Sequence, residues 1–233
     1  MYLSTILNNE FFHHYQPIFD IQEWKIIGYE GLFRLENVKN PETTFNWAKK
    51  AKKLYELDSN SIYKALLTFK NAGYISRKEM LFLNVFPSTV TNPLFLTLIH
   101  QLINEEKVSS QQIIFEINEN EVMDFENVKK EVHNLKNLGF RIAIDDVGKG
   151  FSSVKSIIEL NPDFIKLDKY YLEDLSISEQ KQDVVNSLLH YCQKFNSSLI
   201  VEGVEDKVCL ALLKGMGIQY AQGYFLGMPT ELP

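Results

Sequence analysis

Cysteine is nearly absent from this chain: Cys192 and Cys209 are the only two in 233 residues. That is too few for a disulfide framework, and the expected compartment is the cytoplasm. Long apolar runs are also missing. No stretch approaches the ~20 residues a membrane span needs, so no direct membrane contact is expected. The opening MYLSTILNNEFFHH has neither the basic start nor the small-residue cleavage site of a signal peptide. Positive charge is in deficit, with a formal net charge of −6. This excludes a broad polyanion-binding surface, and with it a DNA or RNA polymer as the main partner. It does not exclude a small anion held through metal ions. The two cysteines and the pair His13-His14 offer no zinc-ligand spacing. A nucleophilic-serine motif and a phosphate-cradling GxxxxGKS/T loop are missing as well. There is no Gly/Pro/Ser-rich linker, no internal repeat and no low-complexity segment. With 45% hydrophobic residues, residues 1–233 read as one domain with a sizeable core.

What is present is a rhythm. Aromatic and β-branched runs at 11–20 and 25–33, joined by Ile21-Gln22-Glu23-Trp24, predict a hairpin. Helical spacing follows over 44–57 and again around Ile62, Ala65, Leu66 and Phe69. Strands are then expected at 80–86, 112–117, 141–145, 164–167, 198–201 and 219–226. Between them helices are expected at 93–105, 122–138, 152–159, from a capping box at Ser176 to about 195, and at 206–214. Alternating strands and helices argue for a parallel sheet covered on both faces. The number of repeats favours a closed, irregular TIM-type (β/α)8 barrel whose N-terminal hairpin makes the first strand antiparallel.

The polar residues inside these apolar runs carry the functional signal. Residues 141–153, RIAIDDVGKGFSS, begin as a buried strand and break into Asp145-Asp146 and a glycine-spaced loop. Two carboxylates about 4 Å apart repel by roughly 4 kcal/mol at an effective dielectric near 20. Taken alone the segment reads as a polar turn, since Asp and Gly are favoured turn residues. Other strands carry a similar interruption: Glu30 with Arg34 four residues on, Asn84 in FLNVF and Glu116 in IIFEIN with Glu119 three residues on. Lys166 in FIKLD, Glu202 closing LIVE, and Gln222 before Gly223-Tyr224 complete the pattern. Burying an unpaired charge costs several kcal/mol, so each needs a reason. In a barrel of parallel strands the carboxyl ends converge on one mouth, where active sites lie. Hard oxygen ligands in this number suit Mg²⁺ or Mn²⁺ rather than structural zinc.

With these residues assembled, the chain resembles the EAL-domain family of bacterial cyclic di-GMP phosphodiesterases, from about residue 12 to 229. The motifs fall in family order: Tyr15-Gln16-Pro17-Ile18, Tyr29-Glu30-Gly31-Leu32-Phe33-Arg34, Asn84, Glu116-Ile117-Asn118-Glu119 and Asp145-Asp146. Asp163 to Asp168, Glu202-Gly203-Val204-Glu205 and Gln222-Gly223-Tyr224 follow. The resemblance implies metal-dependent hydrolysis of one phosphodiester bond of cyclic di-GMP to linear pGpG, with two Mg²⁺ or Mn²⁺ ions and inhibition by Ca²⁺. It implies Glu30, Asn84, Glu116 and Asp145 as ligands of one ion, with Asp145 bridging to a second held also by Asp146. Lys166 would orient the attacking water and the phosphate. Glu202 would sit at the water and metal network, with Gln222 in support. Arg34, Leu32 and Gln16 would meet the ligand, and Glu119 would anchor the glycine loop. Pairing of two barrels into a homodimer, and fused or separate regulatory domains, are further family-based expectations. On this view the chain is either a stand-alone domain or part of a longer protein.

Four departures stand out from the family pattern. Gly31 replaces the usual alanine, Phe86 a serine and Val201 an alanine, while Val147 and Lys149 replace an aromatic and a threonine in the glycine loop. Every expected metal and water residue is nevertheless present. The alternative is a weak or inactive domain that acts as a cyclic di-GMP receptor or protein-interaction module.

Overall fold

A computed structural model of the chain describes residues 10–106, 108–117, 124–149 and 153–232. Eight strands close into a barrel in sequence order: β1 (Phe11–Asp20), β2 (Lys25–Leu35), β3 (Met80–Val85), β4 (Ile113–Ile117), β5 (Arg141–Val147), β6 (Phe164–Leu167), β7 (Ser198–Val201) and β8 (Tyr220–Ala221). β1 runs antiparallel to both β2 and β8, and all other neighbours are parallel. The hairpin joining β1 to β2 is closed by Asp20, whose Oδ1 accepts from the backbone N–H groups of Gln22 (3.0 Å) and Glu23 (2.8 Å). Such an Asx turn gives the tight reversal a side-chain acceptor.

The described helices surround the barrel: α1 (Pro41–Lys50), α2 (Leu54–Asn71), α3 (Pro87–Val90), α4 (Pro93–Glu106), α5 (Phe125–Asn137), α6 (Ser153–Leu160), α7 (Glu179–Phe195) and α8 (Lys207–Gly215). Asn40, Asp124 and Asp206 cap α1, α5 and α8 with side-chain oxygens on orphan N–H groups. Most of the apolar core lies between barrel and helices, where Leu81, Phe115, Ile144, Ile165 and Val201 meet α-helical residues such as Leu66, Phe95 and Leu135. A second cluster fills the barrel itself: Ile18, Phe82, Ile114, Ala143, Phe164 and Ile200.

Three expected elements differ. The helix expected over 44–57 is two helices. Lys53 N donates to Ala48 O and Lys52 N to Lys49 O, while Lys52 takes φ 57°. This paired closure ends α1 and lets the chain turn before α2. The cap of α7 is Ser178, not Ser176, its side chain accepting from Lys181 N. A turn in which Ile177 N and Ser178 N both reach Asp174 O delays the helix by two residues. The strand expected over 219–226 stops at Ala221. Gly223 packs so closely on Val204 that a Cβ there would lie 2.2 Å from its backbone N and O. Gln222 O and Phe225 N bond that same residue, so the chain wraps around Val204 and leaves the ladder.

Candidate active site

The barrel's inner face changes character at a single level. Side chains two apart on a strand share a face. Two residues beyond the inner apolar cluster therefore come Asn84 after Phe82, Glu116 after Ile114, Asp145 after Ala143, Lys166 after Phe164 and Glu202 after Ile200. Glu30 holds the same level on β2. On β1, which runs the other way, the step goes backward from Ile18 to Gln16. Stepping two beyond Tyr220 of β8 reaches Gln222. A polar layer thus lies on an apolar one at the carboxyl ends of the parallel strands.

Lys166 is the hub. Its Nζ lies 2.7 Å from Glu202 Oε1, 2.9 Å from Glu116 Oε1, and 3.2 Å from both Glu30 Oε2 and Asp145 Oδ1. The side chain is only 1% exposed. Burial opposes its charge, but Asp145, Glu116, Glu202 and Glu30 outweigh that and hold the ammonium well above a lysine's ordinary value. The carboxylates divide in response. Burial pushes Glu30 up, yet Lys166 and the amides of Gln222 and Asn84 bring it below the ordinary range. Burial and the nearby Glu30 drive Glu116 well above it. Glu202 is raised to about 8, by burial first, with Lys166 opposing and Asp145 and Glu30 adding to the rise.

Amides brace this layer. Asn84 Nδ2 donates to Glu30 Oε1 (3.1 Å) and Glu116 Oε2 (3.2 Å). Gln222 Nε2 donates to Glu30 Oε2 (2.8 Å) and Gln16 Oε1 (3.1 Å). Gln16 in turn donates to Gly227 O (3.1 Å), so both ends of its amide are engaged within the protein.

Adjacent residues on a regular strand point to opposite faces, yet Asp145 and Asp146 both line the mouth. The register supplies the reason. Between Ile144 and Val147, β5 carries one more residue than β6 does between Ile165 and Leu167. This bulge sets Asp146 at φ 54°, a left-handed value rare for a non-glycine residue. Burial and Asp145 raise the Asp146 carboxyl, partly offset by Lys149. Lys149 Nζ stands 3.4 Å from Asp146 Oδ2. The two loop departures separate here: Val147 is buried in the shell between barrel and helices, whereas Lys149 faces the mouth.

Two cavities open at this end. One of about 320 Å³ is lined by Gln16, Glu30, Asp145, Asp146, Glu202 and Gln222, among others. The other, of about 610 Å³, runs beside it between the ends of β2 and β3 and helix α1, and takes in Leu32, Arg34, Phe45, Asn84 and Phe86. Glu30 and Lys149 line both. Arg34, half-buried, donates to Phe33 O (2.8 Å). Glu119 lies outside the described residues, as do Asn118, residues 150–152 of the glycine loop and the first residues of the helices expected over 122–138 and 152–159. Sequence reasoning gave no role to Asp168, the last residue of the 163–168 motif, which lines the smaller cavity and accepts from Tyr170 N (2.8 Å). It also overlooked Asp58, whose Oδ2 accepts from Phe86 N (3.0 Å) and so fixes the chain just beyond Asn84. The available signal for Asp58 was a charge on the apolar face of α2, between Leu57 and Ile62.

Glu30, Glu116, Asp145 and the Asn84 amide present hard oxygen donors only, the set preferred by Mg²⁺ and Mn²⁺. Glu116 Oε1 and Asp145 Oδ1 are buried with no hydrogen bond in good geometry, despite their closeness to Lys166. Asn84 turns Nδ2 inward, and a flipped amide presents Oδ1 instead. Among the described residues, no three His, Cys, Asp or Glu side chains stand in ligating geometry. The carboxylates are drawn around the Lys166 ammonium. The donors fit a divalent cation in kind and in unsatisfied oxygens, and their present arrangement is that of a lysine-neutralised site.

A model of the EAL domain matches residues 1–229. The cyclic di-GMP phosphodiesterase PdeB of Shewanella oneidensis is 27% identical over 235 residues, covering 98% of this chain and 28% of its own length. The probable cyclic di-GMP phosphodiesterase PdeA of Escherichia coli K12 is 32% identical over 152 residues, 64% of this chain and 21% of that protein. The chain therefore spans less than a third of the length of these curated relatives. Among solved structures, a manganese and cyclic di-GMP complex of Klebsiella pneumoniae BlrP1 matches with a TM-score of 0.84 at 27% identity. That match covers 94% of this chain and 56% of the other. No helix among the described residues is long and apolar enough to cross a membrane.

Proposed function

This chain belongs to the EAL domain family, and from that premise we propose that it hydrolyses one phosphodiester bond of cyclic di-GMP to linear pGpG. The observation that carries the reading is the buried layer around Lys166: four carboxylates and three carboxamides, gathered at one mouth. A dianionic ligand would be repelled by that layer alone. Glu30, Asn84, Glu116 and Asp145 would hold one Mg²⁺ or Mn²⁺, and Asp145 with Asp146 a second. Such ions supply Lewis-acid charge and lower the pKa of bound water.

The chain's own groups do the rest. Lys166 keeps its proton and places a fixed positive charge where negative charge develops on the phosphate. With a pKa of about 8, Glu202 can take and release a proton near neutrality, as a base for water must. Arg34 stands in the larger cavity beside Leu32, placed to meet a phosphate oxygen while the adjoining apolar wall of Phe45 and Phe86 receives a flat ring. Gln222 and Gln16 hold Glu30 in place, and Glu119 is assigned to loop anchoring. Cytoplasmic location, homodimer formation and coupling to regulatory domains belong to the same reading, as does inhibition by Ca²⁺.

One observation favours a second reading, a receptor that binds cyclic di-GMP without cleaving it: the Lys149 ammonium already sits on Asp146. The two are separated by following pGpG formation with Mn²⁺, beside ligand binding with Ca²⁺. Hydrolysis that disappears in excess chelator is expected. Tight binding with no turnover selects the receptor, and full activity in chelator overturns the metal-dependent mechanism.

A further inference from the structure

The rim of the mouth holds a positive charge of its own. Lys149 Nζ lies 3.4 and 3.5 Å from the two oxygens of Asp146. The contact is built into the backbone, because Lys149 N donates to Asp146 O (3.1 Å) and closes the turn between them. Gly148 within that turn sits at φ 101°, where a Cβ would strike the Tyr171 ring at 2.2 Å. The turn thus keeps the Lys149 backbone beside Asp146. Asp146 is itself held at φ 54° in the β5 bulge. Asp146 first, and then Asp168 and Glu42, favour the charged form of Lys149. Lys166, by contrast, serves the deeper carboxylates and makes no ion pair with Asp146. The mouth thus contains two lysine-neutralised levels, one buried and one at the rim.

A cation approaching Asp146 must displace this ammonium or endure its repulsion. We propose that Lys149 is a built-in competitor for a cation at Asp146. The mouth then takes up one divalent ion tightly at Glu30, Asn84, Glu116 and Asp145. A second, at Asp145 and Asp146, binds about tenfold more weakly than it would without Lys149, which corresponds to about 1.4 kcal/mol. Because Lys149 is 59% exposed, its influence is screened by salt, unlike that of Lys166. This inference rests on the metal-dependent reading of the site given above.

The test is a Mn²⁺ titration of the full chain without nucleotide, following free Mn²⁺ by electron paramagnetic resonance. The native chain should show one tight and one weak ion. K149A should tighten the second about tenfold, and K149R should leave it weak. D146N should lose the second ion, with or without K149A. Raising the salt should narrow the gap between the native chain and K149A. Equal second-site affinities in the native chain and K149A overturn the proposal while leaving the metal reading intact. Absence of tight Mn²⁺ binding in both chains overturns the metal reading, and the proposal with it.

Discussion

The inner layer and the rim of the same mouth solve one problem in different ways. At the inner layer, four carboxylates share one ammonium that is 1% exposed, and Glu116, Asp145 and Glu202 each stand two residues beyond the apolar cluster below. At the rim, one carboxylate meets one ammonium that is 59% exposed, on a bulge and a glycine turn. Buried charges interact strongly and depend on one another. Exposed ones contribute little and are screened. The inner layer is therefore where stability is concentrated, and on the proposed reading the rim is where affinity for a further cation would be tuned at small structural cost.

The largest break in this comparison should come from Lys166→Met. It leaves Glu30, Glu116, Asp145 and Glu202 without their shared counter-charge, and metal-free protein should lose about 3–5 kcal/mol in urea unfolding. On the proposed reaction, turnover of cyclic di-GMP should fall by about 10²–10³, because a positive charge that would face the reacting phosphate is removed. A variant as stable as the native chain would show that the inner layer is not held by its lysine.

Next in size is a pH effect. Glu202 is raised in the folded chain from its ordinary 4.5 to about 8. Between those values the folded state binds more protons than the unfolded state, so stability falls as pH rises. The slope reaches at most about 1.4 kcal/mol per pH unit for one group. Unfolding of chelator-treated protein across pH 5 to 8 should show this decline, to which the raised Glu116 adds, and Glu202→Gln should make it shallower. An identical slope in the variant would place the titration on another group.

Smaller effects mark the boundary between the two regions. Gly31 borders the inner layer on β2. A Cβ there would meet Leu83 Cδ2 at 3.2 Å, with Phe82 O at 3.6 Å and Ala65 Cβ at 3.7 Å, so a slight shift of the leucine admits it. Gly31→Ala should raise thermal stability by about 0.5 kcal/mol through lost freedom of the unfolded chain. A clear drop in melting temperature would mean that Leu83 cannot yield. The smallest change is expected from Lys149→Ala, which should alter unfolding stability by less than about 0.5 kcal/mol. A loss near that of Lys166→Met would erase the distinction between rim and inner layer.

Much of this was readable before any coordinates. Apolar runs punctuated by Gly and Asn-Pro announced the strands, and those at 164–167 and 198–201 match β6 and β7 end to end. Less readable were the places where tertiary contacts interrupt a local pattern. The periodicity over 44–57 carries no mark of the left-handed residue at Lys52. An apolar stretch after Tyr220 looks like more strand, yet close packing of Gly223 on Val204 ends it. Among the loop departures, the sequence left open which way Val147 and Lys149 face. The bulge separates them, burying one and presenting the other to the mouth.

By itself the sequence determined which residues carry charge, that each interrupts an apolar strand, and that strand and helix alternate around a closed sheet. These follow from local chemistry and from periods of two and 3.6 residues. Only the tertiary structure decided that the polar residues share one level, that Lys166 is their common partner, and that Asp145 and Asp146 face the same way. Level, partner and facing depend on register between strands far apart in the chain. For Asp145-Asp146 the deciding feature is one extra residue in β5, which turns two neighbouring carboxylates into one site.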